Sequence, residues 1–581
     1  MDLDYFQLLR ESRHLDVSGL SERVRVAVLS DASVQHLVPL LRVLFARAGL
    51  DAEIYVAEFD TMSSEVLDEG SGLHRFAPDA VILLPATNAF RARYHEATGD
   101  RGQFGEEHAA ATVALWDAMK RRSRATIVQA TYIVPADREL GSFSLTAKDS
   151  LTANVLELNA ALARAARTRG HVLLADVEGV AAWIGKRALF DERLWTMAKA
   201  YCALAHLPEI AKALVDVVIA ARGRIVKCVV LDLDGTLWGG VIGDDGLDGI
   251  QIGALGEGEP YRRFQQYLRE LGRRGIALAV ASKNEPAAAL QPFREHPEMV
   301  LREEDIAVFV ASWETKVDSI RRIKETLDIG FEAIVFVDDN PFERELVRQY
   351  LPQVIVPELP EDPNDYVRAL AEQNLFEVTQ LTEEDRKRGA LYREEASRRE
   401  LAASFTDVAH YLARLTMRAT WTRFDTFHLP RIAQLIQRSN QFNLTTRRET
   451  PADCEALMNA SSDGVVPFFL KLADRFGDHG LVSVVVGRVE ADNLLVETWV
   501  MSCRVLSRGV EDFVVEKLLE AARARGLSRV VGRYEPTAKN ILVKDLYARL
   551  GFEPAADEAN TWVAHVDRFV ARPHHILENL R

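Results

Sequence analysis

The chain of 581 residues is poor in cysteine: it has four, and none of them forms a CxxC pair. This spacing indicates neither a zinc site nor a disulfide framework, and it predicts a reducing compartment. Long apolar runs are missing as well, since no stretch approaches the roughly twenty apolar residues that a membrane-spanning helix needs. The first residues are acidic and lack the basic and then apolar order of a signal peptide. We therefore expect a soluble, cytoplasmic protein without a membrane partner.

Clusters of positive charge are also absent. The formal net charge is −15 at pH 7, and no run of lysine and arginine interrupts this acidic balance. Nucleic acids bind to basic surfaces, so we expect no nucleic-acid partner. A chain of this length is expected to fold as three or four domains, with ample length for large cores.

The most informative segment present is an apolar run, residues 229–231, followed by Asp-Leu-Asp-Gly-Thr. In a buried parallel strand, Asp232 and Asp234 would sit at the carboxyl edge of the sheet, where open α/β folds bind ligands. A carboxylate there can attack phosphorus, and a second one can protonate the leaving oxygen. The alternative is a plain strand end that runs into a turn.

Further pieces of a phosphoryl-transfer site follow in order along the chain. Ser282 ends a second apolar strand, predicted over residues 276–282, and could hold a phosphate oxygen. Lys316 begins a helical pattern over residues 317–327 and could neutralise both phosphate and aspartate charge. Because each piece follows a strand, the set favours a phosphoryl-transfer site over unrelated strand ends.

Paired carboxylates after a third strand, residues 333–337, predict a magnesium site. An anionic aspartate repels an anionic phosphate until a cation bridges them. Hard oxygen ligands and no soft ones point to Mg²⁺ rather than zinc. We expect Asp232, Asp338 and the backbone carbonyl of Asp234 to bind the ion, with Asp339 ligating directly or through water.

This order of motifs resembles the haloacid dehalogenase (HAD) superfamily of phosphatases, and more narrowly the FkbH-like family of polyketide pathways. The segments that carry the resemblance are residues 227–243, 282–284, 337–344, 439–448 and 502–511. Among them, LWGGVIG (residues 237–243) and NQFNLTTR (residues 440–447) are the most specific. The chain departs from the family pattern at Ala281, where members often have cysteine, and at Ser507, where they tend to have glycine.

The resemblance implies a bifunctional glyceryltransferase and phosphatase. Such proteins divert 1,3-bisphosphoglycerate into a glyceryl thioester on an acyl carrier protein and lose both phosphates. The implied partner is thus a phosphopantetheinylated acyl carrier protein, and the implied cofactor is Mg²⁺. Two other functions stay open: a simple Mg²⁺-dependent phosphatase with accessory binding domains, and a CoA-dependent acyltransferase scaffold.

The expected fold class is α/β, with an SGNH-hydrolase-like doubly wound sheet in residues 1–222. Short apolar strands alternate there with helical patterns, which is typical of such a sheet. Ser30, Ser33, Asn88 and Asn159 resemble a faded SGNH arrangement, but the late segment of residues 190–195 lacks the required Asp-x-x-His. Without a base a serine is not activated, so we expect binding or docking here rather than hydrolysis.

The remaining chain is expected to form two further domains joined by a linker. Residues 223–378 are a HAD-like Rossmannoid phosphatase domain, in which glycine-rich residues 237–258 form a small hairpin flap. Residues 379–415 are a helical linker with a solvated charged face. Residues 416–581 are a GNAT-like α+β acyltransferase domain, with a strand over residues 494–503, an arginine- and glycine-containing loop, and a helix through Ala524.

The loop before that helix is a candidate anion cradle. Free backbone N–H groups at a helix N-terminus favour anions, so a CoA pyrophosphate or the phosphate of a carrier's phosphopantetheine could bind there. The candidate residues are Arg504, Ser507, Arg508 and Gly509.

Cys503, at the entry to this loop, is a candidate acyl carrier within the protein. Two nearby arginines and the helix N-terminus would lower the pKa of its thiol, although a buried strand cysteine is the other interpretation. His479, predicted on a turn at residues 477–480, could deprotonate an incoming thiol or be an ordinary turn histidine. Cys228 is expected in the core, as are the aromatic residues Phe442 and Trp499.

Overall fold

The computed structural model describes residues 3–381, 391–392, 394, 398, 408–439, 441–460, 464–502, 505–537, 539–555 and 558–579. The chain forms two compact units: residues 1–223 with 377–379, and residues 224–376 with 380–581. Most of the predicted helical linker lies outside the described residues, and the finer division of the second unit stays a prediction. Within the described ranges, no helix has the length and apolar character needed to cross a membrane.

The first unit is built on a five-stranded parallel sheet in the order β2-β1-β3-β4-β5. Its strands are β1 (Arg23–Ser30), β2 (Asp51–Val56), β3 (Ala80–Leu84), β4 (Thr126–Ala130) and β5 (Val172–Ala175). Successive side chains of a strand point to opposite faces, so Val26 and Val28 enter one core cluster while Ala27 and Leu29 enter another. Two buried faces confirm the predicted doubly wound sheet.

Helices cover both faces of this sheet. They are α1 (Tyr5–Arg13), α2 (Leu37–Arg47), α3 (Met62–Leu67), α4 (Gly72–Phe76), α5 (Thr87–Glu96), α6 (Phe104–Arg122), α7 (Leu151–Ala166), α8 (Val177–Ile184), α9 (Lys186–Leu189), α10 (Glu192–Ala198) and α11 (Leu207–Ala221).

Ser30 has a structural role in the first unit. Its hydroxyl donates to the Leu84 carbonyl oxygen at 2.6 Å and accepts from the Ala32 backbone N–H at 3.0 Å. The Asn159 side chain is bonded to both backbone groups of Tyr132. In the described part of this unit, no histidine is hydrogen-bonded to Ser30 or Ser33. The likeness to SGNH hydrolases stays a prediction, and neither serine has an activating histidine among the described residues.

Ester hydrolysis by the first unit is therefore expected to be absent. In the full chain, p-nitrophenyl acetate turnover should be the same for the wild type and for a Ser30→Ala/Ser33→Ala double variant. The physical reason is that the Ser30 proton is committed to a carbonyl oxygen and no imidazole can take it. A turnover that is abolished in the double variant, with the circular dichroism spectrum unchanged, would overturn this expectation.

The second unit begins with a four-stranded parallel sheet in the order β8-β7-β6-β9. Its strands are β6 (Cys228–Leu231), β7 (Ala277–Ser282), β8 (Ile306–Ala311) and β9 (Ile334–Val337). The helices are α12 (Ile242–Asp245), α13 (Glu259–Arg273), α14 (Pro286–Glu295), α15 (Lys316–Leu327), α16 (Pro341–Tyr350) and α17 (Tyr366–Glu372). Strand β6 lies between β7 and β9, so three carboxyl ends that carry candidate residues meet at one edge.

The predicted hairpin flap is wrong in its details. The segment after β6 contains a single antiparallel bridge, between Gly239 and Gln251, instead of a ladder. Between these residues the chain forms the one-turn helix α12, because the Asp245 carboxylate accepts from the Val241 backbone N–H at 2.7 Å. Gly240 adopts a φ of +86°, which bends the chain away from an extended path.

In the described residues from 408 onward, the second unit contains a mixed sheet of eight strands in the order β15-β16-β14-β13-β12-β11-β10-β17. The strands are β10 (Arg418–Arg423), β11 (Val465–Asp474), β12 (Gly477–Glu490), β13 (Asn493–Met501), β14 (Arg529–Arg533), β15 (Glu553–Pro554), β16 (Thr561–His565) and β17 (Leu577–Glu578). The helices are α18 (Val408–Leu415), α19 (Leu429–Arg438), α20 (Pro451–Asn459), α21 (Val510–Arg523) and α22 (Leu546–Arg549).

Part of the NQFNLTTR motif fills a gap in this sheet. Strand β13 pairs in parallel with β14 only as far as Val496. Beyond that point, residues 442–445 run beside β13: Asn443 bridges to Val500, and the Leu444 N–H donates to the Trp499 carbonyl oxygen at 3.3 Å. On the other side of the segment, the Leu444 carbonyl oxygen accepts a hydrogen bond from the Glu535 N–H at 2.8 Å. The motif thereby satisfies backbone groups that a separating strand pair would leave open.

Candidate active site

A buried lysine holds two aspartates together at the carboxyl edge of the four-stranded sheet. Asp232 directly follows β6, and its backbone N–H donates to the Val337 carbonyl oxygen in β9 at 3.0 Å. Lys316 is the first residue of α15, and its Nζ lies 2.5 Å from Asp232 Oδ1 and 3.2 Å from Asp338 Oδ2. It also donates to the Ala281 carbonyl oxygen at 2.7 Å. The lysine side chain is only 3% exposed, so its position is fixed by these contacts.

The charges at this edge do not balance. Burial raises the pKa of Asp232 and of Asp338, and the attraction of Lys316 only partly offsets this effect. The pKa of Asp339 is raised by burial and by repulsion from Asp232. Burial acts to lower the pKa of Lys316, but attraction to Asp232 and Asp338 raises it above the ordinary value, so the lysine keeps its charge. Three carboxylates thus face one cation.

These carboxylates fit a divalent cation. One oxygen from each of Asp232, Asp338 and Asp339 lies within 4.8 Å of the others, which makes this a candidate metal centre. The donors are hard oxygen atoms, which suit Mg²⁺ better than zinc. The carboxylate of Asp234 lies outside this group, so the prediction of Asp234 as a ligand is limited to its backbone carbonyl.

The turn after Asp234 positions Asp339. The Thr236 hydroxyl donates to Asp339 Oδ1 at 3.1 Å and accepts from the Asp339 backbone N–H at 3.1 Å. Gly235 has a φ of +72°, and a Cβ there would lie 2.4 Å from Asp339 Oδ2. Only glycine fits such a close approach. The Tyr366 hydroxyl donates to the Gly235 carbonyl oxygen at 3.0 Å and holds the turn from the outside.

Asp234 is held by three hydrogen-bond donors. Its Oδ1 accepts from Trp238 Nε1 and from the Ile242 backbone N–H, each at 2.9 Å. Its Oδ2 accepts from Asn284 Nδ2 at 2.7 Å. The indole comes from the LWGG motif and the amide from the SKN motif, so the two motifs meet at the second aspartate. A carboxylate at this place can exchange a proton with a group beside Asp232.

Ser282 lies where the sequence predicts it, at the end of β7. Its side chain is buried. Asn284 Nδ2, which donates to Asp234, also donates to the Ser282 Oγ at 3.0 Å. The role of Asn284 was missed because an isolated Ser-Lys-Asn does not show which side chain returns to the site. Thr236, Trp238 and Tyr366 were missed because their positions in the sequence do not show which groups of the site they contact.

The predicted histidine of the C-terminal part is not on a turn. Strand β12 begins at Gly477, so His479 lies within a strand and is 2% exposed. Its Nε2 lies 2.9 Å from Asp474 Oδ2, and Arg398 Nε lies 2.7 Å from the same oxygen. Burial lowers the pKa of His479 although Asp474 counteracts it, so the ring is neutral near pH 7. A neutral ring that donates from Nε2 carries its lone pair on Nδ1.

The predicted anion cradle is partly occupied by the chain itself. Gly509 precedes α21 with a φ of +79°, and Ser507 adopts a φ of +59°, where glycine is favoured. The Ser507 N–H donates to Glu511 Oε1 at 3.1 Å, so an anion would have to displace this carboxylate. Arg508 is buried and approaches Asp474 at 3.9 Å. Cys503 and Arg504 lie outside the described residues.

The other three cysteines are buried. Burial raises the pKa of Cys202 to about 12, and it also raises the pKa of Cys228 and of Cys454. All three are thiols at neutral pH and are poor nucleophiles. Cys228 is a core residue as predicted, and so are Phe442 and Trp499, whose ring centroids lie 5.6 Å apart.

Comparisons with known proteins place the chain in a family. A family model described as the FkbH N-terminal domain matches residues 25–219. The crystal structure of the N-terminal part of protein BF1531 from Bacteroides fragilis, which contains a phosphatase domain complexed with Mg, is 34% identical to the chain. The match covers 65% of this chain and 100% of that chain, with a TM-score of 0.62.

Two Escherichia coli acetyltransferase structures show weaker likeness. The ribosomal-protein-S18-alanine N-acetyltransferase is 17% identical and covers 25% of this chain and 90% of its own, with a TM-score of 0.19. The GNAT family N-acetyltransferase YhbS, in complex with CoA, is also 17% identical. The match covers 26% of this chain and 82% of that chain, again with a TM-score of 0.19. Likeness this weak says nothing about what the C-terminal part binds.

None of the curated proteins compared with the chain matches it. The crystallised N-terminal part of the Bacteroides fragilis protein is matched over its whole length, and the resemblance of the motifs is thereby confirmed. The chain belongs to the FkbH-like family of the haloacid dehalogenase superfamily.

Proposed function

We propose that the chain is a Mg²⁺-dependent phosphatase and glyceryltransferase. It converts 1,3-bisphosphoglycerate into a glyceryl thioester on a phosphopantetheinylated acyl carrier protein, and both phosphates are lost. The observation that carries the proposal is the arrangement of Asp232 and Lys316 at the end of the central strand, 2.5 Å apart and beside two further carboxylates. The phosphatase domain of the Bacteroides fragilis relative, which was crystallised with Mg, supports the metal.

The phosphate ester is the bond that requires this site. Asp232 attacks phosphorus, the bond from phosphorus to the ester oxygen breaks, and Asp234 supplies the proton that the leaving oxygen needs. Water then attacks the phosphorus of the aspartyl phosphate and gives a proton back to Asp234, while the bond from phosphorus to the Asp232 oxygen breaks and inorganic phosphate leaves. Ser282 and Lys316 bind phosphate oxygens during both steps. Asp232, Asp338 and Asp339 would hold Mg²⁺, which neutralises charge between aspartate and phosphate when bound.

The acyl phosphate needs less help because it is already activated. A positioned thiol attacks its carbonyl carbon, the bond to the phosphate oxygen breaks, and phosphate leaves. The thiol is either that of the carrier arm or that of Cys503, which we propose as a transient acyl acceptor beside the loop of Arg504 and Arg508. His479 can accept the thiol proton in this proposal. One substrate thus carries both bonds: the phosphate ester, which the Asp232 site would break, and the acyl phosphate, which the C-terminal part would break.

The decisive experiment measures loading of the carrier. Purified protein, holo-carrier, 1,3-bisphosphoglycerate and Mg²⁺ are incubated, and the carrier is analysed by intact-protein mass spectrometry while phosphate is quantified. We expect a glyceryl adduct on the carrier and release of both phosphates. Phosphate release without an adduct would favour a simple phosphatase, and transfer from an acyl-CoA would favour an acyltransferase.

Metal removal should abolish phosphate release. With EDTA, the turnover of the ester phosphate is expected to fall at least about a hundredfold, because an ion at such a site contributes several kcal/mol. Added Mg²⁺ should restore the rate. Unchanged phosphate release after dialysis against EDTA, confirmed by elemental analysis to have removed the metal, would contradict the assignment of the three carboxylates.

A Cys503→Ala variant tests the proposed acyl acceptor. If Cys503 carries the acyl group, enzyme incubated with 1,3-bisphosphoglycerate and no carrier should acquire a base-labile glyceryl adduct on the Cys503 peptide. The variant should lack this adduct and load the carrier more slowly. Cys454→Ala is the matched control, because Cys454 is buried in α20. Normal loading by Cys503→Ala would show direct attack by the carrier thiol.

A further inference from the structure

An ion pair crosses the carboxyl end of the central strand without contacting the Asp232 and Lys316 pair. Lys283 directly follows β7, and Glu343 lies in the first turn of α16, which follows β9. The Lys283 Nζ donates to Glu343 Oε1. Because β6 lies between β7 and β9, a bond between these side chains spans the end of β6, where Asp232 stands.

The first turn of α16 is fixed to the metal-binding segment. Arg344 Nη1 donates to the carbonyl oxygens of Asp338 at 2.9 Å and Asp339 at 2.7 Å. Glu343 is therefore held close to these carboxylates by its neighbour in sequence. Lys283 is similarly placed, since it lies between Ser282 and Asn284, which both line the site. The pair therefore lies at the same carboxyl edge of the sheet as Asp232, Ser282 and Asp338.

Within the described part of the chain, the ion pair between Lys283 and Glu343 leaves part of each side chain without a protein partner. The Glu343 side chain is 8% exposed, and its Oε2 is buried without a hydrogen-bond partner among the described residues. A buried carboxylate oxygen that lacks a donor destabilises the fold, because it has lost its hydrogen bonds to water without a replacement. The Lys283 side chain is 39% exposed, and an ion pair with such an exposed partner contributes little to stability. The missing donor and the half-exposed cation are what a bound ligand would complete.

We infer that Lys283 and Glu343 recognise the part of the substrate next to the transferred phosphate. Lys283 binds a second anionic group, and Glu343 Oε2 accepts a hydrogen bond from a hydroxyl group. The inference rests on the proposed function and narrows it to phosphate esters that carry both a hydroxyl group and a second anion. Such a compound offers the donor that Oε2 lacks and the charge that the exposed end of Lys283 can accept.

Three phosphate esters separate the two contacts. 3-Phosphoglycerate carries a carboxylate and a hydroxyl group, phosphoglycolate carries a carboxylate alone, and p-nitrophenyl phosphate carries neither. The full chain with Mg²⁺ is assayed for phosphate release from each, and kcat/KM values are compared as ratios. In the wild type we expect kcat/KM to be highest for 3-phosphoglycerate, lower for phosphoglycolate and lowest for p-nitrophenyl phosphate.

Each variant should remove one step of this discrimination. Lys283→Met should lower the ratio of phosphoglycolate to p-nitrophenyl phosphate about ten- to a hundredfold, the size expected for a hydrogen bond to a charged group. Glu343→Leu should remove the preference for 3-phosphoglycerate over phosphoglycolate. Glu343→Gln, which keeps the shape of the side chain and an acceptor oxygen, should retain part of this preference and serves if the leucine variant is unstable.

Lys324→Met is the matched control, since Lys324 lies in the last turn of α15 with its Nζ over the ring of Phe331. Its substrate ratios should equal those of the wild type. A wild type that does not discriminate, or variants that keep the wild-type ratios, would overturn the role of the pair and leave the proposed function standing. If the wild type released no phosphate from any of the three esters or from 1,3-bisphosphoglycerate, the proposed function itself would fail.

Discussion

Replacing Asp232 with asparagine should abolish phosphate release. An amide is a poor nucleophile and does not bring the charge that a divalent cation needs, so a fall in kcat on the order of 10⁴-fold or more is expected. The substitution keeps the shape of the side chain, and its amide oxygen can still accept from Lys316 Nζ. Stopped assays of inorganic phosphate with 1,3-bisphosphoglycerate and with p-nitrophenyl phosphate measure the effect.

Burial raises the pKa of the Asp232 carboxyl group, which means that the folded state disfavours its charged form. Asparagine has no such charge, so the fold should survive this change. Thermal unfolding followed by circular dichroism checks this point. Asp16→Asn is a suitable control, since Asp16 is an exposed residue of the first unit, and its rate should equal that of the wild type. A correctly folded Asp232→Asn protein with near wild-type phosphate release would exclude Asp232 as the nucleophile.

A Lys316→Met variant should lose both stability and activity. Removing one partner of a buried ion pair typically destabilises a protein by about 3 to 5 kcal/mol, because the remaining charge has no counterion. Here the buried carboxylate of Asp338 and the partly buried carboxylate of Asp232 would be left without their lysine. Chemical denaturation of the variant and the wild type in EDTA should show this difference in the free energy of unfolding.

Magnesium should reduce the difference. An ion that binds only the folded state stabilises it by mass action, and in the variant it would also neutralise the two carboxylates. We therefore expect the gap in unfolding free energy to be smaller in Mg²⁺ than in EDTA. Lys324→Met, at the far end of α15, should show no such dependence. An equal gap in both buffers would mean that the cation does not bind these carboxylates.

The strands and their terminal residues could be predicted because the pattern is local. The apolar runs before Asp232, Ser282 and Asp338 each formed a buried strand, and parallel strands bring their carboxyl ends to one edge. The partners of these residues could not be predicted in the same way. Asn284 contacts Asp234 across 50 positions of sequence and Thr236 contacts Asp339 across 103, and no local pattern reports such distances.

His479 shows how composition can mislead. Gly-Asp-His-Gly reads as a turn, since glycine and aspartate favour turns. In the structure Gly477, Asp478 and Gly480 pair with β11, and His479 is the extra residue at the register shift between Leu472 and Ala473. Such bulges allow the strand to absorb glycine-rich sequence. The burial of His479 beside Asp474 then follows from long-range pairing, which the sequence alone does not reveal.

The pairing of β10 with β17 has a consequence for folding during synthesis. Arg418 and Ala419 lie beside Leu577 and Glu578, and the Lys517 Nζ donates to Glu578 at 2.7 Å. At the usual speed of a ribosome, on the order of 5 to 20 residues per second, β10 would wait roughly 8 to 30 seconds for its neighbour. Its outer edge stays open for that time. Nascent chains of this protein should therefore depend on chaperones that shield strand edges until β17 has emerged.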